Sequence, residues 1–182
     1  MNARYALNVA LVYQDALTRQ WAGQARDLMA AAVGLDAVRC SEWKIDDLIE
    51  PGAYWQGVAA LAHADVIVVS LQEAERLPAV FYLWVNLWLQ ERCGLPGALV
   101  ALVVPPEEPN SPAKHETHSY LSALASQSRL EFFLRECTQP GEPIHNLKAD
   151  IMHWALAAWM PFSRLCGLAV LLPLGNYSKL RH

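Results

Sequence analysis

Residues 65–90, DVIVVSLQEAERLPAVFYLWVNLWLQ, decide the fold. Asp65 to Ser70 is a short unbroken run of aliphatic and β-branched residues, the pattern of a strand buried on both faces. A polar loop, LQEAER, follows it. The segment from Pro78 to Gln90 then carries apolar residues at helical spacing, with proline in the first turn, where a missing N–H costs little. Strand, loop and helix in this order form half of a βαβ unit, and such units build parallel sheets.

Working outward, Leu7–Tyr13 (LNVALVY) reads as a second doubly buried strand. A helix follows over Thr18–Val33, with Trp21, Ala25, Leu28 and Ala32 on one face and Gly34 as its stop. Ala37–Trp43 is a more polar edge strand and Gly52–Ala62 a helix. Beyond residue 90, GLPG turns the chain into a strand over Ala98–Val104. Ser111-Pro112 opens a helix to about Ser128, Leu130–Leu134 is a fifth strand, and Asn146–Trp159 a fifth helix. Five alternations of strand and helix predict an α/β fold: a three-layer, doubly wound, five-stranded parallel sheet of order 2-1-3-4-5. Residues 1–160 form this domain, and 161–182 an apolar extension that packs on the domain or on a partner subunit.

The 182 residues suit one such domain and not two. A net charge of −4, with no Lys/Arg stripe, excludes a phosphate backbone as partner. Cys40, Cys93, Cys137 and Cys166 form no CxxC pair, and no leader peptide precedes the first strand, so the expectation is a reducing cytoplasm. The apolar run Cys166–Leu174 is too short to span a bilayer, so no membrane association is expected.

With this pattern the chain resembles the flavodoxin-like superfold of flavodoxins, NAD(P)H-dependent FMN reductases and response-regulator receivers, over roughly residues 5–160. Leu77–Asn86 (LPAVFYLWVN) is similar to the reductases' lPgvLKnwiD helix start, departing from it at Tyr82 and Asn86. In open α/β sheets ligands bind beyond the carboxyl ends of the strands, where the strand order reverses. That point lies between strands one and three, and the candidate ligand-binding residues are Gln14, Asp15, Thr18, Arg19, Ser70 and Gln72, with Glu73 and residues 105–108 alongside.

Chemistry at that edge is sparse. A receiver needs paired carboxylates after strand one and a phosphoacceptor aspartate ending strand three. This chain has Asp15 alone, then Ser70, with Pro105 and Arg135 after strands four and five, so acyl-phosphate chemistry is excluded. A flavodoxin-type FMN loop needs hydroxyls and glycine around a phosphate at a helix N-terminus, and QDALTRQ supplies one hydroxyl, no glycine and an aspartate. Thr18 and Arg19 could meet a phosphate, with Tyr82 and Trp84 bordering a flavin; the alternative is Thr18 as a helix cap. The pair His115/His118 lacks a third ligand, and Ser70 lacks a GxSxG elbow, so neither a metal nor a serine nucleophile is assigned.

The composition is 54% hydrophobic and 18% charged, more apolar than one domain needs. On the 78–90 helix, Val80, Leu83, Trp84 and Leu87 make one stripe, expected to face the sheet. Phe81, Tyr82, Val85 and Leu89, with Trp88 between, make a second, expected to meet the same helix of a second subunit or the chain's own tail, the alternative being a helix deeply buried by the chain's own long loops. These readings together predict a non-catalytic binding or regulatory module that forms a homodimer or meets a protein partner and needs no cofactor. The alternative is an FMN-binding, NAD(P)H-dependent oxidoreductase with a degenerate phosphate loop.

Overall fold

Three doubly buried strands make the middle of the sheet: β1 (Leu7–Tyr13), β3 (Val66–Leu71) and β4 (Gly97–Val103). Every position of β3 and β4 is buried, as expected of strands covered by helices on both sides. β2 (Val38–Lys44) and β5 (Leu130–Glu136) form the edges, and the order is β2-β1-β3-β4-β5 with all four pairings parallel. The computed structural model describes residues 6–72, 77–92, 94–104, 112–137, 144, 147, 149 and 150, with 112–115 described by backbone only. The extension expected at 161–182 and most of the expected fifth helix lie outside these; residues 147, 149 and 150 are helical.

Four helices connect the strands: α1 (Ala16–Val33), α2 (Pro51–Ala62), α3 (Ala79–Glu91) and α4 (Pro112–Gln127). α1 ends at Gly34, whose φ of 101° is open to glycine at little cost and whose N–H returns to the Ala30 carbonyl. α2, α3 and α4 share one face of the sheet with Ile67, Val69, Leu99 and Ala101. α1 shares the other with Leu7, Val9, Val66, Val68, Val100 and Leu147.

The structure redraws the expected division of α3: Trp84 of the first stripe is inside as expected, Leu83 of that stripe is not, and residues of the second stripe join the core. Phe81, Trp84, Val85 and Trp88 are the buried stripe, inside the chain's own core, while Leu83 is 63% exposed and Leu87 half-buried. Tyr82 and Leu89 are also half-buried and pack on that core. The physical reason is the place of α3 in its layer. It follows α2 and precedes α4 on the same face, so the sheet covers one side and neighbouring helices cover two flanks. The Trp84 ring lies against Gly57 of α2 and donates its Nε1–H to the Tyr54 carbonyl at 3.3 Å. On the other flank Tyr82 meets Tyr120 of α4 edge to face, with centroids 4.8 Å apart. A second subunit is not needed to account for the apolar circumference.

At the amino ends of the central strands β3 and β4, Arg92 caps α3 and is only 6% exposed. Its guanidinium donates to the carbonyls of Leu61, Ala64 and Leu95 at 3.2, 2.9 and 3.1 Å. Burial pushes its pKa down, partly offset by Asp65. These bonds tie the end of α2, the end of α3 and the approach to β4 into one knot.

Candidate functional site

The carboxyl ends of β1 and β3 lie side by side, with Tyr13 in register with Ser70. α1 starts two residues earlier than its apolar spacing implies, because Asp15 rather than Thr18 is the cap. The Asp15 carboxylate accepts the Thr18 N–H at 2.9 Å, and the Thr18 hydroxyl oxygen accepts the N–H groups of Asp15 and Gln14 at 2.8 and 3.0 Å. This is a reciprocal capping box with threonine in the third helical position. Thr18 is thereby fully buried, and the N–H of Arg19 is held by the Asp15 carbonyl.

Gln14 crosses the gap between the two loops: its side-chain carbonyl accepts the backbone N–H of Gln72 at 3.0 Å. Arg19 turns away from the gap toward β2. It makes a 2.7 Å ion pair with Glu42, which raises the arginine pKa, and its guanidinium lies 5.8 Å from the centre of the Tyr13 ring. Glu42 also takes Arg26 at 3.5 Å. Ser70 is 0% exposed and points to the α1 side of the sheet, the side of Val66 and Val68. Its hydroxyl is buried without a hydrogen-bond partner, so it is not presented at the edge as a nucleophile.

The six candidates therefore gather at one edge but divide in role. Gln14 and Gln72 touch across the gap, Asp15 and Thr18 satisfy each other, Arg19 serves the β1–β2 surface and Ser70 is sequestered. Glu73 and residues 105–108 lie outside the described residues. His118 is exposed with its ring 5.6 Å from that of Phe132, and no cluster of metal-ligating side chains occurs among the described residues. Cys40 lies at the surface of β2, where partial desolvation of its sulfur pushes the thiol pKa up, and Cys137 is buried. Sequence reasoning missed the Gln14 bridge and the reciprocal cap; the D-A-L-T spacing from Asp15 to Thr18 was the available signal for the second.

Among the described residues, those at the start of α1 do not fit an FMN phosphate. Such a group needs the free first-turn N–H groups of a helix. Here the Asp15 carboxylate already accepts one of them and sets a negative charge at the positive end of α1.

No protein-family model and no curated protein matches the sequence. Among solved structures, an oxidoreductase from Corynebacterium diphtheriae is similar at 17% identity and a TM-score of 0.56, covering 84% of this chain and 94% of that one. A short-chain flavodoxin associated with a non-canonical PDU bacterial microcompartment is similar at 14% identity and a TM-score of 0.59, covering 84% and 99%. The flavodoxin of Megasphaera elsdenii follows at 13% and 0.54, covering 82% and 99%. No helix among the described residues is long and apolar enough to cross a membrane. Strand order, all-parallel pairing and these neighbours together establish that the chain has a flavodoxin-like fold.

Proposed function

We propose that this chain is a flavodoxin-like binding or regulatory module without catalytic groups of its own, acting through self-association or a protein partner. The observation that carries this reading is the Asp15 carboxylate seated on the first turn of α1. An anionic cofactor arriving there meets a like charge and must displace an existing hydrogen bond. The Gln14 bridge to Gln72 narrows the same crevice, and Ser70 offers no accessible hydroxyl. The unpaired thiol of Cys40 fits a reducing cytoplasm.

The second reading, an FMN-binding, NAD(P)H-dependent oxidoreductase with a degenerate phosphate loop, is favoured by the fold shared with flavodoxins and an oxidoreductase. Purified protein with added FMN separates the two. The proposed module leaves flavin absorbance in the unbound fraction after desalting and melts at an unchanged temperature in excess FMN. Stoichiometric retention of flavin would overturn it.

A further inference from the structure

β5 closes one side of the sheet, and its seven residues, Leu130–Glu136, pair with β4 along one side only among the described residues. Proteins usually blunt such an edge with charge; β2 carries Arg39, Glu42 and Lys44 along its length, and β5 carries Glu131, Arg135 and Glu136 toward its ends. At the centre of β5 stand instead Phe132, Phe133 and Leu134, each only half-buried. Phe132 and Leu134 pack on the α4 side and Phe133 on the α1 side, as strand alternation requires. Glu131 and Arg135 therefore flank Phe133 on its own face.

This strand is chemically self-complementary. Antiparallel pairing with a second copy about a two-fold axis through Phe133 sets Phe133 opposite its equivalent, Phe132 opposite Leu134, and Glu131 opposite Arg135, each unlike pair occurring twice. Arg135 also pairs with Asp150, and a guanidinium has donors for both carboxylates. The chain's own continuation is a poor occupant. Ile144 and Leu147 join the core on the α1 side, so at these positions the chain after β5 is on that face. β1 reaches β2 over this face by stepping away from β3; stepping outward from β5 over it to a further parallel strand demands a left-handed crossover, which is very rare.

We propose that β5 is a self-recognition edge that pairs antiparallel with β5 of a second copy, joining two five-stranded sheets into one. The proposal takes the self-association part of the functional reading and assigns it a surface.

Light scattering across a concentration series tests it. Wild type is expected at twice the monomer mass, and Glu131→Arg, which sets like charges opposite at both symmetric positions, weakens the dimer by about tenfold or more. Arg135→Glu weakens it likewise, and an equimolar mixture of the two variants restores dimers, because the hetero-pair is complementary at both positions. Should Arg135→Glu fail to fold for loss of Asp150, a Phe133→Cys variant in a Cys40→Ser background supplies the second arm, by forming an intermolecular disulfide across the axis under mild oxidation. A dimer that is indifferent to Glu131→Arg and does not cross-link through position 133 overturns the β5 assignment and leaves self-association standing. A wild type that stays monomeric at every concentration overturns both.

Discussion

Gly57→Ala tests how closely α2 and α3 approach. A methyl group at position 57 would lie 2.9 Å from Cζ2 of Trp84, 3.1 Å from Nε1 and 3.2 Å from Cε2, where carbon contacts optimise near about 3.5–4.0 Å. The indole cannot swing aside at low cost, because Trp84 is fully buried and its N–H is committed to the Tyr54 carbonyl. Overpacking of this kind costs about 1–3 kcal/mol. Alanine in a helix interior returns about 1 kcal/mol over glycine. The net expectation is a loss of about 1 kcal/mol in urea unfolding, seen as a lower midpoint at constant slope. Trp84→Phe removes the indole atoms that crowd the site, so in that background the same substitution should stabilise by about 1 kcal/mol, a coupling of about 2 kcal/mol. If Gly57→Ala stabilised the protein equally in both backgrounds, the packing of Trp84 on Gly57 would be refuted.

Other outcomes follow from the cap, the buried arginine and the tyrosine pair. Asp15→Ala should lower stability by about 1 kcal/mol at neutral pH, with Asp15→Asn close to wild type, since either side-chain oxygen can accept the Thr18 N–H; chemical denaturation reads both. Arg92→Met removes a donor from the carbonyls of Leu61, Ala64 and Leu95, of which Leu61 keeps the Ala64 N–H and Leu95 is near solvent, and a loss of about 2 kcal/mol is expected, read as a lowered melting temperature. Tyr120, partly desolvated beside Tyr82, has its pKa pushed up to about 12. The folded state thus holds its proton after the unfolded state has lost it, so its contribution is intact below the ordinary tyrosine range of about 10 and is lost as pH rises toward 12. Tyr120→Phe should flatten the alkaline fall in stability between those limits; an unchanged alkaline limb would show that Tyr120 titrates normally.

Strand order was legible because β1, β3 and β4 are buried on both faces and so must be written as nearly continuous apolar runs. Helix faces were less so. A helical wheel counts apolar residues but not neighbours, and α3, flanked by α2 and α4, buries Phe81, Val85 and Trp88 where spacing alone suggested a partner surface. Arg92 was invisible for a related reason. An arginine at the end of a helix reads as a solvated partner of the helix dipole, and only the tertiary arrangement of Leu61, Ala64 and Leu95 turns it inward. At the candidate edge, Thr18 and Arg19 have near partners of their own, Asp15 and Glu42, which residue identity alone does not disclose.

The capping aspartate makes the helix N-terminus its own inhibitor. A group tethered even by a flexible linker faces its site at an effective concentration of about a millimolar or more, and Asp15, adjacent in sequence to the turn it caps, is held far more tightly than that. A phosphate at ordinary cellular levels thus competes against a ligand that cannot diffuse away. Within this fold, a single carboxylate at that position raises the cost of seating any anion on the first turn of α1.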